Sequence, residues 1–476
     1  MGGQMSGKID SAVINGLISI VGENNVFTCK EELAGYTYDE SVCRLPDCFP
    51  EVVVRPGSTE EVSYILRLAN AHRIPVTPRG GGTGLAGGCV PVYGGIVLSL
   101  QRMNRFIELD RKNQVAVVEA GVTLAEFIRE VEKEGFFFPP HPGDEGAMFG
   151  GMIATNAGGS RAVKYGVIRN YVRGLEVVLA DGRVINPGGK LVKNSTGYNL
   201  LHLFIGSEGT LGVITRAIIQ VMNRPTFLRT LVIPFNSIDK AIDNVPLIFE
   251  KGILPMAVEF TTRDVLELTE RYLNLTWPSR QGDVQLMVIV DSASEEELGK
   301  LSDEIADLVL ENGALDVFVA DTPAKQDEVL KIRSNIYEAI KKETVDILDI
   351  CVPRSEIAGH VRKIQEVAKK YVLWLPVFGH AGDGNIHTHL MKAKYEDGQM
   401  VPVAMEEIRD KLEAARQELI KDGAARGGVI SGEHGIGLYK KGYLPLSLQA
   451  TQIELMKRIK QALDPAGIMN PGKIFD

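Results

Sequence analysis

The chain has 476 residues, 45% of them hydrophobic and 24% charged, which excludes bulk disorder and predicts two or three domains, each with its own core. No run approaches the roughly 18 apolar residues of a membrane span, and a net charge of −9 without a basic tail argues against nucleic acid and for small-molecule chemistry. The five cysteines, Cys29, Cys43, Cys48, Cys89 and Cys351, include no C-x-x-C pair. They indicate neither a disulfide framework nor a cysteine-held iron–sulfur cluster and fit a reducing cytoplasm. The N-terminus lacks signal or transit character. Its MGGQMS formally matches the myristoylation pattern, a short motif that recurs by chance.

In chain order, residues 52–76 read as a β–α–β unit: VVVRP, then TEEVSYILRLANAHRI with apolar residues at helical spacing, then PVTP. A Gly-rich loop follows, then a strand at 95–100, a helix over TLAEFIREVEKEG, and a second Gly-rich stretch at 143–159. Strands come next, with a hairpin turn at Asp181-Gly182. Near residue 223 the pattern changes to long amphipathic helices (IDKAIDNVPLIFEKG, SEEELGKLSDEIADLVLENG, SEIAGHVRKIQEVAKKY, AMEEIRDKLEAARQELIKDG) between strands such as VQLMVIVD and YVLWLPVFG. This alternation predicts helices on a largely antiparallel sheet.

Three glycine clusters carry a chemical message. PRGGGTGLAGG, residues 78–88, holds six glycines in eleven positions after a strand. Such a loop offers successive backbone N–H groups to an anion, although taken alone it is also compatible with a structural turn. It lacks the G-K-[ST] of a Walker A loop, and no helix follows it as in a nicotinamide-binding fingerprint. PPHPGDEGAMFGGMIATNAGGSRAVKYG (139–166) and GSEGTLGVIT (206–215) add two more.

With these stretches, and with KNSTGYNLLHLFIGSEGTLG, GHAGDGNIH, SGEHGIG and DPAGIMNPGKIF, the chain from about residue 50 onward resembles the FAD-linked oxidases of the vanillyl-alcohol oxidase and p-cresol methylhydroxylase (PCMH) superfamily. The branch it resembles holds D-lactate dehydrogenases, glycolate oxidase flavoprotein subunits and D-2-hydroxyglutarate dehydrogenase. The resemblance implies an α+β fold. A PCMH-type FAD-binding domain of two α+β subdomains would span 1–222, a substrate or cap domain 223–425, and a segment over 426–476 would pack back on the FAD domain and complete the active site. It also implies FAD contacts from Pro78 and, at the pyrophosphate, from Arg79, Gly80, Gly81, Gly82, Thr83 and Gly84. Gly143, Asp144, Gly150, Gly151, Ala154, Thr155, Asn156, Gly158 and Gly159 would lie along the isoalloxazine, Gly212 and Ile214 on the adenine side, and Pro142 and Asn470 are further contacts. The first loop has no His for covalent attachment, so FAD is expected to be non-covalent.

His380 and His387 stand seven positions apart in GHAGDGNIH. On a helix that spacing would leave them about 10 Å apart along the axis, whereas a Gly-punctuated loop feeding a strand can fold them together. With Glu433 they then form a two-His, one-carboxylate set suited to Zn, Mn or Fe, the alternative being separate structural roles. The resemblance implies that these three are ligands of one divalent metal, that His434 is the catalytic base, and that Arg333 grips the substrate carboxylate with Tyr337 and His389 beside it. Two departures lean toward lactate or glycolate over a dicarboxylate: Ile347 and Leu348 stand where D-2-hydroxyglutarate dehydrogenases carry a Lys, and His389 replaces their Asn. His141 has no assigned role. The expected reaction is oxidation of a D-2-hydroxy acid, with electrons leaving to an electron-transfer flavoprotein or an iron–sulfur subunit. The alternatives are a non-redox flavoenzyme of the alkyl-glycerone-phosphate synthase type and an electron-relay flavoprotein subunit.

Overall fold

The computed structural model describes residues 9–41, 45 and 48–475; MGGQMS and Cys43 lie outside them. The chain forms two compact units, one of residues 1–158, 167–224 and 433–476, the other of residues 159–166 and 225–432. The chain therefore passes between units at Arg224/Pro225 and Gly432/Glu433, and the segment 159–166 belongs with the second.

The first unit begins with the β–α–β pattern. Strands Val52–Val54 and Val76–Arg79 flank Ile96–Ser99 in parallel. The connecting helix Thr59–His72 starts at Ser58, whose hydroxyl accepts from Glu61 N at 3.2 Å, a cap contributing about 1 kcal/mol. It buries Val62, Ile65, Leu66 and Ala69 against the sheet. A second sheet orders Phe106–Asp110, Val115–Glu119, Val213–Gln220, Val172–Val178 and Val184–Ile185. The last two form the Asp181-Gly182 hairpin, where Gly182 has φ +79°. The Gly-rich stretch before residue 156 contains a short helix, Phe149–Thr155.

The second unit is built on a seven-stranded sheet in which every pairing is antiparallel. The four amphipathic stretches form helices Ile238–Glu250, Glu295–Glu311, Ile357–Tyr371 and Met405–Ala425. YVLWLPVFG departs from expectation, because the strand is only Val377–His380. The preceding helix runs to Tyr371 and stops at Val372, which takes a left-handed φ of 56° while its N–H still bonds Lys369 O. Pro376, with no N–H to donate, bars the strand from starting earlier. Among the described residues no helix is long and apolar enough to cross a membrane.

Candidate active site

In the first unit the three glycine clusters converge. A Cβ on Gly80 would stand 3.4 Å from Met148 Cβ, one on Gly81 3.0 Å from Gly146 O, and one on Gly209 3.2 Å from Pro78. Among the described residues, the N–H groups of Gly80, Gly81, Gly82, Thr83 and Gly84 donate to no other part of the chain. Five successive free donors form a nest that fits a diphosphate. The loop is held from behind. Asp39, 1% exposed, accepts from Gly87 N at 2.7 Å, and burial pushes its carboxyl above the usual range. Arg79 aims its guanidinium at Tyr38 O (2.6 Å) and Cys89 Sγ (3.0 Å), which leaves only its backbone for a cofactor. Burial raises the Cys89 thiol to about 11, so it is inert at neutral pH.

The other residues of the flavin set divide by environment. Gly151 has no atom within 4 Å of where a Cβ would sit, whereas Gly150 abuts Ala120 and Gly212 abuts Val177, each at 2.8 Å. Those two glycines serve close packing. Pro142 is buried, Gly143 is exposed, and the side chain of Asp144 accepts from Gly146 N at 2.7 Å. The Thr155 hydroxyl donates to Gly151 O, Ala154 O accepts from Glu208 N, and Asn156 Oδ1 accepts from Arg169 N. Ile214 is buried in its strand, and Gly159 falls in the second unit. Asn470 Nδ2 donates to Gly88 O (2.9 Å) and Glu208 O (2.7 Å), tying the C-terminal stretch to two of the clusters. His141 faces Glu145 at 3.4 Å.

Glu208, which the sequence reading did not single out, positions SGEHGIG. Its carboxylate oxygens accept from Ile436 N and Gly437 N, each at 2.8 Å, while burial holds its pKa above the ordinary carboxylate value. That brace lies two residues beyond His434, whose Nε2 stands 3.8 Å from Glu433 Oε1. A Cβ at Gly158 would come within 2.7 Å of Glu433 Oε2 and 3.1 Å of Glu433 Cβ, so any larger residue there would displace the carboxylate.

In the second unit GHAGDGNIH is a β-hairpin. Strand Val377–His380 pairs with Asn385–Met391, His380 lying opposite Asn385 and Phe378 opposite His387. Paired residues share a face, and the register carries that face to Glu259 beside His380, Asp349 beside His387 and Ile347 beside His389. The two Nε2 atoms converge to 3.5 Å. That separation would let one divalent cation take both Nε2 atoms as ligands. Each Nδ1 is turned to a carboxylate: His380 to Glu259 Oε1 at 2.6 Å, His387 toward Asp349 Oδ1 at 3.8 Å. Carboxylates behind metal-binding imidazoles fix the tautomer and raise basicity. Burial alone would raise Glu259, but His380 and Arg333 outweigh it and hold the carboxyl below its ordinary value.

Arg333, near the end of helix Pro323–Ser334, joins the same face. Its Nη2 lies 2.5 Å from Glu259 Oε2 and its guanidinium 5.1 Å from the Phe378 ring centre, with 13% of the side chain exposed. His389 stacks on Phe378 at 4.9 Å and lies 5.7 Å from Tyr337. Gly432 N donates to Asp349 O, and Glu433 and His434 are the next two residues of the chain.

The family described as "FAD linked oxidases, C-terminal domain" matches residues 224–474, and "FAD binding domain" matches residues 50–188. A D-lactate dehydrogenase of Archaeoglobus fulgidus is 46% identical over 89% of this chain and 91% of its own length. The chain belongs to the FAD-linked oxidase family. A second relative of this FAD-linked oxidoreductase is the glycolate oxidase subunit GlcD of Bacillus subtilis, 37% identical over 96% of each chain. The 4-ethylphenol oxidase of Gulosibacter chungangensis shares its fold, with a TM-score of 0.79 at 21% identity over 98% of this chain and 97% of that one.

The structure thus gathers His380, His387, Arg333, Tyr337 and His389 on one sheet face of the second unit, and Glu433 and His434 with the glycine clusters of the first. Ile347 lies on that face, whereas Leu348, one residue on, points away. Glu259 and Asp349 were missed in the sequence. The signal was there: AVEFTT and DILDIC each place an acid inside an apolar strand, and burying a carboxylate is costly unless it is paired.

Proposed function

We propose that this chain oxidises a short D-2-hydroxy acid, with D-lactate or glycolate favoured over D-2-hydroxyglutarate, to the 2-oxo acid. The observation that carries the reading is the convergence of His380 and His387 Nε2, with Glu259 hydrogen-bonded to the first imidazole and Asp349 3.8 Å from the second, beside Arg333 on one buried sheet face. The names of the two relatives support the substrate class. Arg333 binds the substrate carboxylate in its planar fork. His434 takes the hydroxyl proton as the C2 hydride and its two electrons leave for the cofactor. Bound non-covalently, FAD supplies the hydride acceptor, and a divalent cation held by His380, His387 and Glu433 supplies polarisation of the hydroxyl. Ile347 offers a distal carboxylate no cation, which favours the smaller acids. The electrons pass to an electron-transfer flavoprotein or an iron–sulfur subunit.

Anaerobic mixing of the purified protein with D-lactate, glycolate and D-2-hydroxyglutarate, together with metal analysis, tests this. Flavin bleaching by the first two, bound divalent metal, and release of all FAD on acid precipitation are expected. A flavin that no 2-hydroxy acid bleaches would end the reading.

A further inference from the structure

Glu259 is an expensive residue for a strand centre. It is 1% exposed, stands at the middle of strand Ala257–Thr262, and pairs opposite His380 across the sheet. Its two oxygens serve different partners: Oε1 meets His380 Nδ1 at 2.6 Å, and Oε2 meets Arg333 Nη2 at 2.5 Å. Those partners come from a hairpin and from a helix, and they belong to the two halves of the proposed chemistry. From this geometry we infer that Glu259 is a shared positioning residue: one carboxylate both sets the metal-binding tautomer of His380 and aims the Arg333 fork at the substrate carboxylate. The inference rests on the function proposed above.

The physical argument is one of hydrogen-bond valence. When Oε1 accepts from Nδ1–H, the lone pair of His380 is left on Nε2, the atom that faces His387. Arg333 is always protonated and brings five donors. Glu259 takes one of them through Nη2 and Phe378 covers the guanidinium from the side, so the fork has a fixed direction. Arg333 Nε has no partner among the described residues, so the fork retains a donor. An ionised carboxylate accepts at both oxygens, whereas the amide of Gln accepts at one end only and donates at the other. Glu259→Gln therefore cannot serve both partners. Turned one way, its NH2 opposes the Arg333 donors. Turned the other way, it demands a bare Nδ1 and so moves the proton to Nε2, the wrong tautomer for a ligand.

The test uses the full-length, FAD-loaded protein stripped of metal, with Zn²⁺ affinity measured by competition against a chromophoric chelator and KM and kcat measured with D-lactate at saturating metal. Glu259→Ala is expected to weaken Zn²⁺ by about 10–100-fold, the usual scale for losing a partner behind a ligand. It is also expected to raise KM at least tenfold, and adding Arg333→Ala to it should raise KM little further, because both changes remove one clamp. Either quantity staying at its wild-type value would overturn the inference. Should Glu259→Ala fail to hold FAD, Glu259→Gln decides: loss of at least one property supports the inference, and retention of both overturns it. A purely structural Glu259 would lower the melting temperature of a variant whose Zn²⁺ affinity and KM stay unchanged. Failure of the underlying function reads differently, since wild type and His380→Ala would then bind Zn²⁺ equally.

Discussion

The two units build their sites from opposite materials. In the first, the working surface is backbone: a run of N–H groups over Gly80–Gly84, shaped by glycines that approach other loops too closely for a Cβ and held from behind by buried Asp39. In the second, it is side chain. His380, His387 and His389 project from one face of a sheet whose register decides which groups meet, and Arg333 reaches that face from helix Pro323–Ser334. A backbone site suits a large anion that need only be wrapped, because it brings no side-chain charge to be neutralised elsewhere. A side-chain site suits proton and metal chemistry, which needs defined lone pairs and pays for each with a buried partner such as Glu259. The two kinds of site should therefore fail in different ways.

The largest expected effect is at His434. Removing a base costs about 10²–10⁴ in rate, so His434→Ala should reduce flavin bleaching by D-lactate by that factor in stopped-flow absorbance while FAD and metal contents stay at wild-type levels. Loss of metal instead would exchange the roles of Glu433 and His434. The complementary break is Gly82→Ala. Gly82 has φ +79°, and a Cβ there would stand 2.2 Å from Arg79 Nη2, on a guanidinium held in place by hydrogen bonds from Nη1 to Tyr38 O and Cys89 Sγ and from Nη2 to Gly35 O. The left-handed backbone alone costs about 1–2 kcal/mol. FAD affinity should fall at least tenfold, measured by flavin fluorescence on titrating apoprotein, with Zn²⁺ affinity unchanged. Loss of both ligands together would show that the backbone site and the side-chain site are not independent.

The same contrast governs what the sequence reveals. Glycine clusters are legible because nothing in ordinary packing calls for six glycines in eleven residues, and the antiparallel second sheet is legible from its helices and strands. The glycines do not announce which of them face a ligand and which only pack: Gly151 and Gly150 are neighbours with different surroundings. The histidine pair is conspicuous as a spacing in a Gly-rich loop, yet its geometry comes from strand register, with His380 ending one strand and His387 inside the next. Glu259 lies 121 residues from His380, a pairing that only the folded sheet creates. YVLWLPVFG reads as one strand because hydrophobicity alone cannot show where a helix ends.

The smallest expected effect lies on the other side of the second sheet and asks whether its two faces are independent. Ile350 alternates with Asp349, and the would-be Cβ of Gly423, in helix Met405–Ala425, comes within 2.6 Å of Ile350 and 3.7 Å of His360, which places this helix and His360 on the face away from the histidine pair. There buried His360 Nδ1 bonds Asp422 at 2.7 Å, and Arg426 bonds both Asp422 (2.7 Å) and Glu356 (2.8 Å). Burial would raise the Asp422 carboxyl, but His360 and Arg426 outweigh it and lower it from its ordinary 3.8. A carboxyl lowered in the folded state contributes stability that is present above the unfolded value and is lost as pH falls through the folded one. The melting temperature of the wild type should therefore drop as acid is added below about pH 5, and Asp422→Asn, which cannot titrate, should show a shallower acid slope with a melting temperature lower by a few degrees at pH 7. Zn²⁺ affinity, FAD content and KM should be untouched, because no group of the network shares a face with His380 or Arg333. A fall in Zn²⁺ affinity in Asp422→Asn would show that the sheet transmits strain from one face to the other, and that the side-chain site depends on more than the partners it touches.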